Sequence, residues 1–332
     1  MTNHGNMYGP NFTFLGIERC DLDKPETFKD ADVVIVGAPI DSGTSHRSGA
    51  KFGPQAIRMG DYLPHDGERP HLALRTDGLK DLKVVDAGDL IMNGGDLVGS
   101  LKLLEAATEK ISKAGAIAVV LGGDHSIASA DVAGIANHRG KGKVSMIHFD
   151  AHADTGADQF GALVGHGTPM RRLIENGHVR GDRFLQLGLR GYWPDDATLN
   201  WMRDQGMRSY EMTEIHHRGM KAVLDESFAT LTDGCDGVFL SVDIDVVDPG
   251  MAPGTGTPEP GGMTSRELLE AVRRICLELP VVGIDVVEVA PPFDSADITA
   301  ILANRVCLEA ISAIAKRKKG ERYSPTQNLL DR

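Results

Sequence analysis

Cysteine is scarce in this chain, and its cysteines are not paired in sequence. The four cysteines among 332 residues form no CxxC motif and lie far apart, at Cys20, Cys235, Cys276 and Cys307. Disulfide frameworks and thiolate zinc sites have characteristic cysteine spacings, so neither is predicted here. The composition fits a reducing, cytoplasmic environment.

Positive charge is also in short supply. Lysine and arginine total 35 against 47 acidic residues, which gives a formal net charge of -12. Binding to a phosphate backbone depends on clustered cationic side chains, so a nucleic-acid partner is not expected. The acidic balance modestly favours a cationic small ligand.

Long apolar runs, linkers and phosphate-binding loops are missing as well. No stretch of about 18 apolar residues is present, and residues 1–21 lack a basic start followed by an apolar run. We therefore expect no membrane span and no export signal. No Pro/Gly/Ser-rich linker, fixed repeat, GxxxxGK or GxGxxG divides or marks the chain, so one domain is predicted.

Short runs rich in valine and isoleucine recur along the chain. They begin at Val33, Leu82, Ala116, Val144, Arg183, Gly237 and Val281. Such runs are typical of buried parallel strands. Helical spacing of apolar residues appears between several of them, over 100–114, 266–279 and 298–318. The alternation predicts a single three-layer α/β domain with a mostly parallel central sheet flanked by helices.

Polar residues gather just after these runs, where parallel sheets bind their ligands. The segment HFDAHAD places Asp150, His152 and Asp154 at alternate positions, and SVDID does the same with Asp243 and Asp245. Alternate side chains of an extended segment share a face. Several carboxylates on one face at a buried strand end would repel one another unless a cation lay between them. The pattern predicts a metal site.

One more side chain completes the predicted ligand set. His125, in LGGDHS, also follows an apolar run. Four carboxylates and two imidazoles exceed the needs of one catalytic zinc ion and suit two divalent metals per chain. Without thiolates the site is hard, so manganese is expected first, with nickel, cobalt or iron(II) as alternatives.

Three segments together resemble the signatures of the ureohydrolases, the family of arginase and agmatinase. They are LGGDHS, HFDAHAD and SVDIDVVDPGMAPGTGTPEPGG, and they occur in the family's order. The resemblance runs from about Val33 to Lys316 and implies an arginase-like fold assembled as homotrimers or homohexamers. It predicts a catalytic domain over 31–318 after an N-terminal extension over 1–30. The polar composition after Lys318 predicts a flexible tail over 319–332.

The resemblance also implies how the ligands divide. One metal would take His125, Asp150, Asp154 and Asp243, and the other would take Asp150, His152, Asp243 and Asp245. Asp150 and Asp243 would then bridge the two ions.

The same resemblance implies catalytic roles and an activity. The family cleaves a guanidino group and releases urea. Asp154 would accept a proton from the attacking water, and His166, in GHGTP, would shuttle protons between solvent and the site. Glu288, in IDVVEVAPP, would pair with the substrate guanidinium, and Thr257 would lie close to it.

Substrate choice rests on two segments. In the arginases that the chain resembles, polar residues of the loop after DxHxD and of the segment after GLR hold the amino-acid head group. Here the loop over 155–165 is poor in hydroxyl and amide groups, and the GYWP segment from Gly191 places Tyr192 and Trp193 where arginase has an acidic stretch. This difference from the arginases disfavours arginine. Asp158 is the only charged residue in the first loop, which favours a cationic tail and makes agmatine the first expectation. Arg47 and Arg190 keep guanidino acids open if either faces the pocket.

Other substrates and other functions are also compatible with the sequence. Within the class, the substrate could be 4-guanidinobutanoate, 3-guanidinopropanoate, a proclavaminate-like amidino acid or guanidine. A deacetylase-like amide hydrolase and a non-catalytic protein of the same fold are the alternatives outside it. We interpret Asp248 as a turn residue and Gly37, Gly43 and Gly53 as loop-shaping residues. Four histidines are interpreted as surface or structural residues: His46, His138, His216 and His217.

Overall fold

The apolar runs form one central sheet. The structure is a computed structural model, and it describes residues 12–61, 70–328 and 330. Its strands are β1 (Val33–Ala38), β2 (Val84–Asp89), β3 (Ile117–Gly122), β4 (Val144–Phe149), β5 (Phe184–Leu189), β6 (Arg208–Glu211), β7 (Gly237–Asp243) and β8 (Val281–Val287). The strand order is β2-β1-β3-β8-β7-β4-β5-β6, and every neighbouring pair is parallel.

All seven predicted runs contain a strand of this sheet, and the predicted α/β class is confirmed. The eighth strand, β6, was not predicted. Its four residues, RSYE, include only one buried side chain, that of Tyr210. A short edge strand bonded on one side only carries little of the apolar pattern that reveals a central strand.

Helices cover both faces of the sheet. They are α1 (Gly53–Met59), α2 (Gly78–Asp81), α3 (Leu97–Lys113), α4 (Ala128–Arg139), α5 (Pro169–Glu175), α6 (Asp196–Asp204), α7 (Met212–Arg218), α8 (Met220–Thr232), α9 (Ser265–Glu278) and α10 (Ile298–Lys318). Helices α3, α4 and α5 pack on one face, and α1 and α7–α10 pack on the other. The three predicted helical segments correspond to α3, α9 and α10, with small shifts at the ends.

Helix α10 is long and apolar enough to cross a membrane by length and composition alone. However, 78% of its most apolar 18-residue window is buried inside the protein. Its side chains from Ala300 to Ala315 include Val306, Ile311 and Ile314, which pack in the hydrophobic core beside α9 and α1. We therefore interpret α10 as a core helix of the fold.

Both ends of the described chain contact the domain. Phe14 is buried, and its amide donates to Asp86 at 2.7 Å. At the other end, Lys319 pairs with Asp81, and the Arg273 guanidinium donates to the Tyr323 hydroxyl. Residues 1–11 of the predicted extension, which carry much of the segment used to argue against an export signal, lie outside the described residues. The predicted divisions at residues 30 and 318 stay predictions.

The sheet order explains where the polar residues meet. The neighbouring strands β3, β8, β7 and β4 occupy the centre of the sheet. Their carboxyl ends lead to His125, Glu288, Asp243 and Asp150. These residues are far apart in sequence, and parallel pairing brings them to one edge.

Candidate active site

His125 lies at the centre of one group of carboxylates. Its Nδ1 atom is 3.1 Å from Oδ2 of each of Asp150, Asp154 and Asp243. All four side chains are buried. One imidazole nitrogen therefore faces three carboxylate oxygens in a space sheltered from solvent.

His152 lies in a second group beside the first. Its Nδ1 atom is 3.1 Å from Oδ2 of Asp245 and 3.4 Å from Oδ1 of Asp150. Asp150 thus turns one oxygen to each group. The structure brings together all six predicted ligands: Asp243 lies beside His125, and Asp150 is shared between the two clusters that contain the other five.

The convergence arises from loops rather than from a continued strand. Strand β4 ends at Phe149, and Asp154 has a left-handed backbone with φ of +52°. Asp243 is the last residue of β7, and Asp245 lies in a short 3₁₀ helix, Ile244–Val246. The residues that the alternate spacing singled out do lie together, but the extended geometry assumed for them is wrong beyond the strand ends.

The electrostatics of the first group show an excess of negative charge. Burial, followed by the charges of Asp245 and Asp150, raises the pKa of Asp243 well above its ordinary value. Burial opposes protonation of His125, yet Asp150, Asp154 and Asp243 raise its pKa well above the usual range. The cluster favours a positive charge at its centre.

The donor set fits two divalent metals. It consists of carboxylate oxygens and imidazole nitrogens, which suit hard or borderline cations, and it contains no thiolate. A cation between the groups would relieve the carboxylate repulsion that raises the pKa of Asp243. The chain's own residues therefore match a binuclear centre.

Hydrogen bonds behind the cluster orient His125. Its Nε2 atom lies 2.9 Å from the Ser241 hydroxyl, which donates to Asp285 at 2.8 Å. A carboxylate behind a serine favours a proton on Nε2 and leaves the Nδ1 lone pair facing the cluster. The imidazole is thus arranged to act as a ligand.

Glu288 and His166 form a buried pair beside the cluster. Glu288 Oε1 accepts from the His125 amide and from His166 Nδ1, each at 2.9 Å. Its second oxygen, Oε2, is buried and has no hydrogen-bond partner. Glu288 also has a strained backbone, with φ of +62°. An unpaired buried carboxylate oxygen is costly unless a ligand pairs with it.

Two opposing contacts act on His166. Burial lowers its pKa, but Glu288 has the opposite effect, and the pKa is raised to about 9. On the other side of the ring, the Ser45 amide donates to Nε2 at 3.0 Å, and the Ser45 hydroxyl lies 2.6 Å from the same atom. Glu288 favours the charged ring, whereas the Ser45 amide favours the neutral ring. A histidine between such contacts is suited to exchange a proton.

A pocket of about 410 Å³ opens over this region. It is lined by Ser45, His152, Asp154, Asp158, Gln159, Phe160, His166, Gly167, Trp193, Asp243 and Thr257. Within the described part of the chain, its wall contains no lysine or arginine. Asp158 is exposed at the wall, and its Oδ1 accepts from the Gly161 amide at 2.8 Å.

Thr257 and the two arginines are held by protein contacts. The Thr257 hydroxyl is 3.4 Å from Asp245 Oδ2. Arg47 donates to the carbonyls of Thr255 and Gly256 and stacks on Phe293. Neither Arg47 nor Arg190 is among the pocket-lining residues.

Arg190 is engaged even more fully than Arg47. Its guanidinium donates to the backbone oxygens of Gly188, Asp245, Val246, Glu259 and Pro260. It joins the end of β5 to the loop after β7. The side chain is a structural clamp beside the candidate metal ligands, and it is not among the residues that line the pocket.

The sequence reading missed several residues of this site. His148 precedes Asp150 at the same alternate spacing, and its Nε2 atom is 2.8 Å from Asp150 Oδ2. That spacing was the available signal. Ser45, Gln159 and Phe160 also line the pocket, but they lie in loops without a distinctive motif. Their positions depend on how the loops fold over the sheet edge.

The predictions for the turn residue Asp248, the three glycines and the four remaining histidines were confirmed only in part. Asp248 does organise a turn, since it accepts from the amides of Gly250 and Gly261. Of the three glycines, only Gly43 lies in the loop; Gly37 is within β1 and Gly53 begins α1. The four histidines interpreted as surface or structural are all exposed: His46, His138, His216 and His217.

Comparison with known proteins agrees with this site. The Arginase family model matches residues 31–312. A guanidinobutyrase from Pseudomonas aeruginosa is 36% identical over 296 residues, covering 88% of this chain and 89% of the relative. An agmatinase from Cronobacter sakazakii is 38% identical over 308 residues, covering 92% and 95%. The solved proclavaminate amidinohydrolase of Streptomyces clavuligerus superposes with a TM-score of 0.81 at 35% identity, covering 94% and 100%.

The chain therefore belongs to the arginase family, the ureohydrolases. It is a hydrolase of C–N bonds in linear amidines, and its relatives include agmatinases and guanidino-acid hydrolases. The family depends on a binuclear metal centre, and the His/Asp cluster at the sheet edge matches that requirement.

Proposed function

We propose that the protein hydrolyses agmatine to putrescine and urea. The observation that carries this choice is the composition of the pocket wall, where Asp158 is available and none of the described lining residues is an arginine or a lysine. The tail of agmatine ends in an ammonium group, which a carboxylate attracts and a guanidinium would repel. Trp193, at the same wall, offers an aromatic face for a cation.

The guanidino end of the substrate has a matching partner in Glu288. Its buried Oε2 atom has no hydrogen-bond partner. A planar guanidinium donates hydrogen bonds readily to a carboxylate and would satisfy this oxygen. The pairing would hold the guanidino carbon next to the carboxylate cluster.

The metal centre would be held by six side chains. We assign His125, Asp150, Asp154 and Asp243 to one ion, and Asp150, His152, Asp243 and Asp245 to the other. Two divalent ions would lower the pKa of water enough to supply a nucleophile at neutral pH. Manganese is our first choice because the ligands are carboxylates and imidazoles, and nickel, cobalt and iron(II) remain alternatives.

Proton transfer would then be the task of two protein groups. Asp154 would accept a proton from the attacking water as its oxygen bonds to the guanidino carbon. The C–N bond to the alkyl amine breaks in the collapse that follows, and the amine nitrogen must leave with a proton. His166 would deliver that proton, with Ser45 linking its Nε2 atom to the pocket opening. Thr257 would help to position Asp245 and the guanidino group.

A guanidino acid is the second candidate, because a relative that matches most of the chain is named a guanidinobutyrase. Such a substrate would bring its carboxylate to a wall that offers Asp158 instead of a cation. Leaving that charge unpaired would weaken binding by about 1–3 kcal/mol. Proclavaminate-like acids and guanidine are further members of the same group of alternatives.

The test is urea release from a panel of guanidino compounds. Agmatine, 4-guanidinobutanoate, 3-guanidinopropanoate, arginine and guanidine would be compared as kcat/KM, with manganese and nickel in parallel. We expect agmatine to give the highest value, and Asp158→Asn to reduce that value while sparing guanidine. A tenfold preference for a guanidino acid, worth about 1.4 kcal/mol, would refute the proposal that the substrate has a cationic tail.

We also propose a homotrimeric or homohexameric assembly in the cytoplasm, with no nucleic-acid or membrane partner. The four free cysteines support a reducing compartment. Sedimentation velocity would test the assembly, and we expect a mass three or six times that of the 35.6 kDa chain. A 35.6 kDa species at micromolar concentration would contradict it.

A further inference from the structure

His148 is a buried histidine with no assigned task. Its side chain is inaccessible to solvent, and it lies within the cluster formed with His125, Asp150 and Asp154. Its Nε2 atom is 2.8 Å from Asp150 Oδ2. Two roles are compatible with this position: ligand to a metal ion, or hydrogen-bond donor to Asp150.

The orientation of Gln186 decides between them. On one side, the Gln186 side-chain amide lies 2.7 Å from the carbonyl oxygen of Ala153, which only accepts hydrogen bonds. On the other, the Ser209 hydroxyl donates to Gln186 Oε1 at 2.8 Å. These two contacts place the Gln186 nitrogen, and not its oxygen, toward Ala153 and His148.

The Gln186 nitrogen then determines the tautomer of His148. It donates to His148 Nδ1 at 3.1 Å, so Nδ1 must carry a lone pair. The proton of the neutral ring is therefore on Nε2, which faces Asp150 Oδ2. A protonated Nε2 has no lone pair to offer to a metal.

We propose that His148 is a positioning residue that holds the Asp150 carboxylate, and that Gln186 and Ser209 fix its tautomer. Asp150 is the carboxylate shared by both ligand groups, with Oδ2 near His125 and Oδ1 near His152. Restraining its Oδ2 atom sets the direction of both oxygens. The proposal rests on the proposed binuclear function, because it assigns His148 a role in the affinity of both metal ions.

The position of Ser209 extends this network to the edge of the sheet. Ser209 is in β6, Gln186 in β5 and His148 in β4, three neighbouring strands. Their side chains form one line of hydrogen bonds that ends at Asp150. The edge strand β6, which was not predicted from the sequence, is thus connected by hydrogen bonds to the proposed metal ligand Asp150.

The experiment compares metal binding by His148→Phe and His148→Gln in the full chain. Phenylalanine keeps a ring but removes the donor, whereas the glutamine amide can place an N–H near the former Nε2 position. Mn²⁺ titrations followed by electron paramagnetic resonance give the number of ions and their affinities. His138→Phe, at an exposed histidine, is the matched control.

We expect His148→Phe to bind two ions at saturation, with affinities weakened by about 10–100-fold. His148→Gln should recover most of that loss, and His138→Phe should match the wild type. Binding of one ion only by both His148 variants would make the residue a ligand and overturn the proposal. Unchanged affinity in His148→Phe would overturn it as well.

A second measurement does not depend on the phenylalanine variant folding. Nitrogen-15 spectra of histidine-labelled protein loaded with diamagnetic zinc report which ring nitrogen carries the proton. We expect the Nε2–H tautomer of His148 in the wild type and its partial loss in Gln186→Met. An Nδ1–H tautomer in the wild type would contradict the proposal.

A failure of the proposed function would give a different metal-binding result from a failure of the positioning role of His148. A wild-type chain that binds no divalent metal would refute the binuclear assignment itself. A wild-type chain that binds two ions, with His148 variants that behave identically to it, would refute only the positioning role.

Discussion

At the scale of single residues, partners determine what each site residue can do. His125 offers Nδ1 to the cluster because Ser241 and Asp285 occupy its other side. In His148 the N–H faces the cluster instead. The Nδ1 lone pair faces Gln186, and the Nε2–H faces Asp150. Two histidines of the same cluster therefore have different chemistry, which their residue type alone does not reveal.

Glu288→Gln should impair substrate pairing without disturbing the metals. The variant keeps the size of the side chain but loses the charge that would bind a guanidinium, worth about 1.5–3 kcal/mol. We expect kcat/KM for agmatine to fall by at least about 10-fold, with metal content unchanged by elemental analysis. Glu175→Gln, at an exposed position in α5, should behave as the wild type. Full activity of the Glu288 variant would exclude the pairing.

His166→Ala should slow turnover while retaining both metal ions. Removing a positioned general acid typically costs about 10²–10⁴-fold in rate. We expect kcat to fall within that range and added imidazole to restore part of it. Ser45→Ala should show a smaller loss, because water can replace the hydroxyl. Loss of metal from the His166 variant would instead indicate a structural role.

At the scale of elements, the polar loops after the strands, and not the strands themselves, form the site. The seven apolar runs could be assigned as strands because burial on both faces leaves a continuous apolar sequence. Strand β6 and the turn at Asp154 could not be predicted from the sequence, because neither has a continuous apolar pattern. The Arg190 clamp adds a further tie between the end of β5 and the loop after β7.

Helix α4 and strand β8 meet through two buried carboxyl groups. Asp131 is fully buried in α4, and its Oδ2 atom lacks a hydrogen-bond partner, as does Oδ2 of Asp285. Burial and then the charge of Asp285 raise the pKa of Asp131 well above its ordinary value. One shared proton would satisfy both oxygens.

Asp131→Asn should therefore change how stability depends on pH. Because the folded pKa is raised, the stabilisation from Asp131 is complete below about pH 4 and is lost as pH rises toward the raised pKa. The asparagine variant keeps a donor for Asp285 at every pH. Urea unfolding between about pH 5 and pH 9 should show the wild type losing stability relative to the variant, by at most about 1.4 kcal/mol per pH unit.

The matched control for this pair is Asp204→Asn, at an exposed position. Its stability should follow that of the wild type across the same range. A constant difference between the wild type and Asp131→Asn at all pH values would show that Asp131 does not retain a proton in the folded protein.

At the scale of the whole molecule, the candidate metal centre lies where strands from the middle of the sheet end. Its proposed ligands follow β3, β4 and β7, which are distant in sequence. Ions that bind only the folded arrangement stabilise it by mass action. Metal binding and global stability should therefore be linked.

Chelation should abolish activity and lower the thermal unfolding temperature. We expect manganese to restore both, and Asp150→Ala to prevent restoration because that carboxylate serves both ligand groups. A ligand excess of about 100 times Kd corresponds to about 2.7 kcal/mol, which calorimetry can detect. Asp248→Ala, at a turn outside the cluster, should still respond to manganese. Activity that survives complete removal of metal would contradict the binuclear mechanism.

The sequence by itself determined the class of fold and the set of candidate ligands. Both depend on local patterns: apolar runs specify buried strands, and carboxylates and histidines at strand ends indicate a metal site. The three ureohydrolase signatures supplied the family. No long-range contact was needed for these inferences.

Only the tertiary structure decided which atoms face which. Arg47 and Arg190 were open as substrate partners until their guanidinium groups were seen to donate to backbone carbonyls. His148 acquired a role from Gln186, which lies on the next strand of the sheet. Hydrogen-bond direction depends on groups brought together across the sheet, and the linear order of residues does not encode that proximity.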